Sequence, residues 1–441
     1  MNYLGDLITL LFFIALSSGL GILWWRHWVR HVQAQFLNSI KWIMLEVRLP
    51  RDVFKSPLAM EMVLNSIHQG GGTSNNYAKF WEGKVRNWFS LEIASIEGEV
   101  RFYIRTNSKF KNAIEAAVYS QYPEAEVTEA EDYTNYTRFD NDAHDVWGAE
   151  FSLKGEDFLP IRTYVDFKLD KDPKEEFKVD PITPIIEWMG AVKKGEQIWF
   201  QIICRAVDGK FENWKKEGEA ALEKIYYGLK FSDDLKAKKT EAEAAGKKLE
   251  KKKSADLSEI EKIQAEAISR NLGKLGFECG IRVVYIAKKE NFDAKNIDAL
   301  TGCLRQFNSP LLNSFAPIGD TMPSFDYPWQ DRTGIKKLGR KDYIVGSYIK
   351  RKLFYKAHSN EDWYNGIPER FFQDIRDALK IRILSVDPDH VKYKGSGDEN
   401  RFILNTEELA TIYHFPGQTA SSPALKRIAS TKAEPPVNLP L

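Results

Sequence analysis

The residues able to do chemistry are scattered along this 441-residue chain. Gly70-Gly71-Gly72 has the glycine content of a loop that cradles phosphate. No Lys-Ser or Lys-Thr follows it, so a connector is the simpler reading. Gly334-Ile335-Lys336-Lys337-Leu338-Gly339-Arg340-Lys341 comes nearer to a nucleotide-binding loop. Arg340 stands where that motif needs Lys, and Lys341 where it needs Ser or Thr, so the match fails at both decisive positions. Asp387-Pro388-Asp389-His390 has residue types suited to a metal, yet a proline-centred turn accounts for them. Asp320, Asp326 and Asp331 are loop residues without motif spacing. His68, His144, His358, His390 and His414 stand in unrelated contexts, and no H-E-x-x-H, G-x-S-x-G or kinase signature occurs. Cys204, Cys279 and Cys303 fit no zinc spacing and read as buried apolar residues. No catalytic, metal-binding or cofactor-binding residue is assigned. The expectation is a protein without cofactor or enzyme activity.

Two charged clusters suit a partner surface instead. Glu126, Glu129, Glu131 and Asp132 crowd a short strand and its exit. Acidic strand edges deter edge-to-edge pairing; docking of a partner or a divalent metal is the functional alternative. Lys251, Lys252 and Lys253 offer contacts to phosphate or lipid. Glu241, Glu243 and Glu250, interleaved nearby, favour a solvated helix face.

The element that must position everything else is Leu7 to Trp25, a run of nineteen residues without charge. At about 1.5 Å per residue it spans about 28 Å, the thickness of a bilayer's hydrocarbon core. Eleven Leu, Ile and Phe residues, Leu7, Phe12, Phe13 and Leu20 among them, favour insertion by about 3–7 kcal/mol. No basic start or small-residue cleavage site marks a signal peptide. Trp24, Trp25 and Trp28 suit an aromatic belt at the interface, and Arg26 and Arg30 follow at once. The positive-inside rule then predicts a single-pass protein of the cell membrane, N-terminus outside and body in the cytoplasm. Three cysteines agree with a reducing compartment. With 63 basic and 62 acidic residues, the whole molecule is no electrostatic magnet for nucleic acid.

Residues 1–42 read as the anchor and an amphipathic stalk, with Val29, Val32, Phe36, Ile40 and Ile43 at helical spacing. Residues 43–146 read as a first domain. Ile43, Leu45 and Val47 alternate as a strand. Ser56-Pro57 opens a helix carrying Met60, Val63, Leu64 and Ile67. Two strands follow around a Glu97-Gly98 turn, then a helix with Ile114, Ala117 and Val118, and a last short strand. The order β-α-β-β-α-β is ferredoxin-like. Such a sheet can bind RNA, but its third strand lacks the RNA-binding signature and offers only Tyr103 for stacking. Residues 147–317 read as a second α+β domain of the same pattern. Its strands are expected at 161–167, 198–204 and 281–287, and a helical hairpin is inserted at 210–275. Residues 318–417 form a C-terminal α/β extension, in which Asn405 and Glu408 mark a helix start. Residues 418–441 read as a disordered, Pro-rich tail. The fold class is thus α+β: an N-terminal transmembrane helix followed by tandem ferredoxin-like domains.

Four stretches carry a resemblance. They are Leu45-Glu46-Val47-Arg48-Leu49-Pro50 with Ser56-Pro57-Leu58-Ala59-Met60-Glu61; Phe89-Ser90-Leu91-Glu92-Ile93 with Arg101-Phe102-Tyr103-Ile104; Glu115 to Glu126 with Glu131-Asp132-Tyr133; and Ile403-Leu404-Asn405-Thr406-Glu407-Glu408-Leu409-Ala410 with Pro435-Pro436-Val437-Asn438-Leu439-Pro440. Together they resemble the membrane-anchored N-terminal region of type IV secretion and conjugation coupling ATPases. They are equally similar to stand-alone proteins of unknown function from candidate-phylum bacteria. The last stretch resembles the lead-in to the ATPase domain, yet no Walker motif occurs anywhere in the sequence. The resemblance therefore implies a non-enzymatic scaffold or adaptor of a secretion or conjugation machine, completed by a separately encoded ATPase. The expected partners are the lipid bilayer and that ATPase, with self-association left open. The alternatives are a nucleic-acid-binding membrane protein using the basic hairpin, and a membrane-bound hydrolase with an unrecognised site.

Overall fold

Alternation in Ile43, Leu45 and Val47 means that one side of this segment must meet apolar partners. The structure, a computed structural model, describes residues 3–50, 55–69, 75–136, 143–170, 180–207, 213–231, 252–253, 256–354 and 401–416. The chain divides into two compact units. One comprises 1–41, 71–87 and 352–399, the other 42–70, 88–351 and 400–441.

Helix α1 (Tyr3–Ser39) is followed by strand β1 (Trp42–Arg48), helices α2 (Pro57–Ile67) and α3 (Asn76–Phe80), and strands β2 (Phe89–Ile96) and β3 (Glu99–Asn107). Helix α4 (Lys111–Gln121) leads to β4 (Glu126–Ala130) and β5 (His144–Leu153). Next come α5 (Thr183–Gly190), β6 (Glu196–Ala206), α6 (Asn213–Tyr226), α7 (Glu259–Leu272) and β7 (Gly276–Lys288). The last described elements are α8 (Lys295–Gly302), β8 (Phe315–Pro317), α9 (Ile335–Ile349), β9 (Phe402–Asn405) and α10 (Thr406–Ile412).

The described strands form one antiparallel sheet in the second unit, ordered β4-β1-β3-β2-β6-β7-β5-β8 with β9 also paired to β7, and with the helices packed on it make a mixed α+β body. The order is palindromic about the β2–β6 seam. Replacing β1, β2, β3 and β4 by β5, β6, β7 and β8 converts one half into the other. Glu97 and Gly98 both take positive φ (54° and 89°), as a tight two-residue turn between β2 and β3 demands. One row of register crosses six strands: Val47, Phe102, Ile93, Phe200, Val283 and Ala149. All are buried in the main core, against Met60, Val63 and Leu64 of α2, Ile114 and Val118 of α4, and Ile185, Ile186 and Met189 of α5. Each such side chain contributes roughly 1.5–3 kcal/mol of burial. The opposite face is covered by α9, whose Ile344, Val345 and Tyr348 pack on Tyr103, Trp199, Val284 and Ile286.

Several expectations change. The strand expected at 161–167 is a run of turns. Asp166 Oδ2 accepts the Thr163 N–H at 2.8 Å, and Lys168 has a φ of 58°. The N–H groups of Ile161 and Tyr164 go to Glu408 and Thr411 side chains, and that of Arg162 to the Phe307 carbonyl, so these donors make no ladder with a neighbouring strand. The strand filling that place in the second half is β5, so the boundary drawn between 146 and 147 falls inside a strand and the sheet runs through it. Ser56 occupies the N-cap of α2 without a side-chain capping bond, and Pro57 is what starts the helix. The near-miss nucleotide loop at 334–341 is the start of α9. Helices α6 and α7 pack through Ala221, Ile225, Ala265 and Ile268 over Phe158 and Leu159. Lys251, the segment 355–400 with its expected helix and strand, the Gly70 to Gly72 loop and the tail 418–441 lie outside the described residues.

Candidate functional site: a buried polar row and an aromatic collar

Reversing the faces of the same six strands gives a second row: Glu46, Tyr103, Glu92, Gln201, Arg282 and Glu150. Each is a polar residue with an apolar neighbour on either side along its strand, and all six are buried. Burying these groups is tolerable only where each finds a partner. Arg282 Nε meets Glu150 Oε1 at 2.6 Å, and its Nη1 donates to the Ser347 carbonyl of α9 at 3.3 Å. Glu92 accepts from Ser90 Oγ (2.6 Å), Gln201 Nε2 (3.0 Å) and Tyr133 Oη (2.7 Å). Arg351, just beyond α9, forks onto Glu92 and also onto Asp132 at 2.6 and 3.0 Å. Tyr133 spends its single proton on Glu92, so Tyr348, 2.7 Å away, donates to Tyr133.

Burial pushes the Glu92 carboxyl up, but the Arg351 charge and its hydrogen bonds outweigh that and hold it below its ordinary value. Asp132 follows the same pattern, with burial opposed by Arg351 and the Thr134 bonds. Burial carries the Tyr133 and Tyr348 phenols well above theirs. General acid–base work favours a group that titrates near the working pH. These four are moved away from it, and their chemistry is to fix α9 on the sheet. Arg105 lies over the Trp42 ring at 4.3 Å, and burial, then Arg351, lowers it to about 10.

A second polar cluster seats β9 and α10, which are buried along nearly all of their length. Asn405 and Glu408 form a reciprocal capping box, as their spacing predicts. Glu407 takes Thr163 Oγ1 at 2.6 Å and Arg270 Nε at 3.1 Å. Glu61 takes Lys274 Nζ and the Tyr164 hydroxyl, both at 2.5 Å. His414 Nε2 lies 3.0 Å from Asp180 Oδ1.

The acidic and basic clusters singled out in the sequence are not brought together. Asp132 serves Arg351, Glu129 takes Lys111 Nζ at 3.1 Å, and Glu126 stands opposite Arg48 in register. Glu131 is exposed, as is Lys253, while Lys252 reaches Glu261 at 3.0 Å. Tyr103 stacks on Tyr133 at 5.0 Å and is buried, so it offers no open ring to a base. Among the described residues, no group of three His, Cys, Asp or Glu side chains is placed to hold a metal.

In the first unit, Gly5–Ser39 is the one described helix long and apolar enough to cross a membrane, and none of its most apolar window is buried. Leu7, Phe12, Phe13 and Leu20 are all exposed. A buried core helix would hide such residues, so this helix associates the protein with a bilayer. Around Trp25 and Trp28 the surface changes. Phe80 lies 5.6 Å from Trp25, and Trp81 lies 5.5 Å from Trp28. Trp24 stacks on Trp28 at 6.1 Å. Trp28 Nε1 donates to the Phe80 carbonyl at 3.1 Å. Arg26 is half-buried and Arg30 exposed on the same stretch.

Residues 30–314 match the family described as a domain of unknown function, DUF8128. The chain belongs to this family. The match starts in the anchor helix and takes in β1 to β7 with α8, so the palindromic sheet is very nearly the family's own body. No curated protein matches the chain.

The sequence reading missed Arg351, Glu92, Gln201, Arg282 and Glu150. Arg351 carried no signal; the four strand residues did, a polar side chain between two apolar neighbours in Leu91–Ile93, Phe200–Ile202, Ile281–Val283 and Ala149–Phe151. It reads as an exposed face until α9 is known to cover it.

Proposed function

We propose that this protein is a membrane-anchored, non-enzymatic scaffold of a type IV secretion or conjugation-like machine, with its body in the cytoplasm and a separate ATPase as partner. Each half of its sheet is read as a ferredoxin-like βαββαβ unit, the second with α6 and α7 inserted as a helical hairpin. The observation that carries the proposal is the seating of Phe402–Asn405 and Thr406–Ile412. This segment, which resembles the lead-in to the coupling ATPase domain, is part of the body's core. A load on the chain beyond it is passed to β7 through the β9 ladder, to α2 through Thr406 and Glu61, and to the 161–163 segment through Glu407 and Glu408. The membrane-associated helix supports the same reading, because a scaffold must resist that load.

The test is purification of the full-length protein from its native membranes in mild detergent. A P-loop ATPase should be retained in a fixed ratio, and Leu404→Asp, which unseats β9, should lose it while the protein stays in the membrane fraction. Absence of any nucleotide-binding protein, or retention unaffected by Leu404→Asp, would overturn the proposal.

A further inference from the structure

The aromatic cluster on α1 is completed by a segment that returns to it from far along the chain. Helix α3 is opened by Asn75, whose Oδ1 accepts the Ala78 N–H at 2.7 Å. Ala78 is buried, and Phe80 and Trp81 meet Trp25 and Trp28. Gly83 closes the docking. Its φ of +67° suits glycine, and a Cβ there would run into the Val32 carbonyl and lie 2.6 Å from the Gln33 nitrogen. Residues 75–83 are therefore seated on one stretch of the helix, from Trp25 to Gln33.

That stretch begins about 27 Å along the axis from Leu7, where a hydrocarbon core entered at Leu7 gives way to headgroups. Three large amphipathic rings remain uncovered there: Tyr77 is 64% exposed, Trp81 51% and Trp24 61%. Away from a membrane such a cluster would be a liability. At headgroup depth it is favourable, since Tyr and Trp bury an apolar ring while their polar tips stay wet. Lys79, 5.5 Å from the centre of the Phe80 ring, puts a cation at the same level.

We propose that Asn76 to Trp81 is a second membrane-contacting element, with Tyr77 and Trp81 lying beside Trp24 in the headgroup layer and fixing the depth of α1. The occupant of this aromatic face is lipid, by continuity with the apolar helix. This rests on the reading of α1 as a membrane anchor, and the test separates the two. The full-length protein is placed in vesicles of phosphatidylcholine with a minor share of phosphatidylglycerol. A polarity-sensitive fluorophore is attached at Tyr77→Cys or, in a second variant, at Phe12→Cys. The native cysteines are buried and stay unlabelled. Nitroxide lipids carry the quencher near the headgroup or near the acyl terminus. The probe at 77 should be quenched by the shallow nitroxide and not by the deep one, and the probe at 12 by the deep one. Adding Gly83→Val should abolish quenching at 77 and leave 12 unchanged. Quenching at 12 but not at 77 would overturn the proposal with the anchor intact, and would favour a protein partner on this face. No quenching at 12 would remove the anchor reading itself. Quenching at 77 that survives Gly83→Val would show that docking on α1 does not set its depth.

Discussion

Arg351 grips Glu92 by two parallel bonds, Nε to Oε1 and Nη2 to Oε2, each 3.0 Å, across 259 residues of sequence. Arg351 does so with a φ of 48°, a left-handed conformation that costs a side-chain-bearing residue roughly 1–2 kcal/mol. A glycine would turn the chain more cheaply but could not reach the sheet. The turn after α9 is held by the very pair that it makes possible. Asp132 and Tyr133 close the other side, so α9, the β4 exit and the sheet centre meet at one guanidinium.

Removing that guanidinium leaves Glu92 buried with neutral donors only. Breaking a buried pair from one side costs about 3–5 kcal/mol, whereas removing both charges costs much less. Arg351→Met should therefore lower the thermal unfolding midpoint of the detergent-solubilised protein by several degrees. The double variant with Glu92→Gln should recover part of the loss. Thermal melts of the two single variants and the double, read as a cycle, give the coupling. An Arg351→Met protein as stable as the parent would show that Asp132 and Tyr133 suffice to hold α9.

Glu408 sets a pH dependence of opposite sign to that of Glu92. Burial raises its carboxyl to about 8, against the backbone bonds from Asn405 and Ile161 that favour the charged form. Its folded value thus lies above the unfolded one, near 4.5. The folded state keeps a proton that the unfolded state releases, so its contribution is complete below the unfolded value and is lost as pH rises through the folded one. Between these limits stability should fall by about 1.4 kcal/mol per pH unit from this group alone. Glu92 and Asp132, held low, lose their contribution only as pH falls through the acid range. Glu408→Gln should flatten the slope between about pH 5 and 8. Chemical denaturation midpoints of both proteins across that range test it, and parallel profiles would refute a protonated Glu408.

The elements that could be read from the sequence were those whose signal is local. The charge-free run at Leu7 to Trp25, the alternation in β1, β2, β3 and β6, the Glu97-Gly98 turn and the Asn405–Glu408 capping box each fold as their own residues dictate. Segment 161–167 has strand-like alternation too. Its Ile161 and Tyr164 N–H groups are claimed by Glu408 and Thr411, well over two hundred residues away, and no local pattern reports that. Helix α3 was missed because five residues carry too little periodicity, and its docking depends on Gly83 and Val32. The polar row was invisible for a related reason. Alternation shows that a strand has two different faces, but not that the polar one will be covered.

The three cysteines should be inert in the native protein. Cys204 and Cys279 are register partners across β6 and β7, with sulfurs 3.8 Å apart in the core, and Cys303 lies at the end of α8. Burial, then the Cys204 neighbour, carries the Cys279 thiol well above its ordinary value, and burial alone brings Cys303 to about 12. The thiolate is the reactive species. At neutral pH a group at about 12 holds roughly one three-thousandth of the thiolate of a free cysteine near 8.5. Maleimide should therefore add nothing to the folded protein within the time that labels an exposed thiol completely. All three sites should be modified once denaturant unfolds the sheet. Intact-mass spectra before and after denaturation decide it. Rapid native labelling at Cys204 or Cys279 would mean that β6 and β7 separate readily, and that the centre of the sheet cannot be the rigid member a load-bearing scaffold requires.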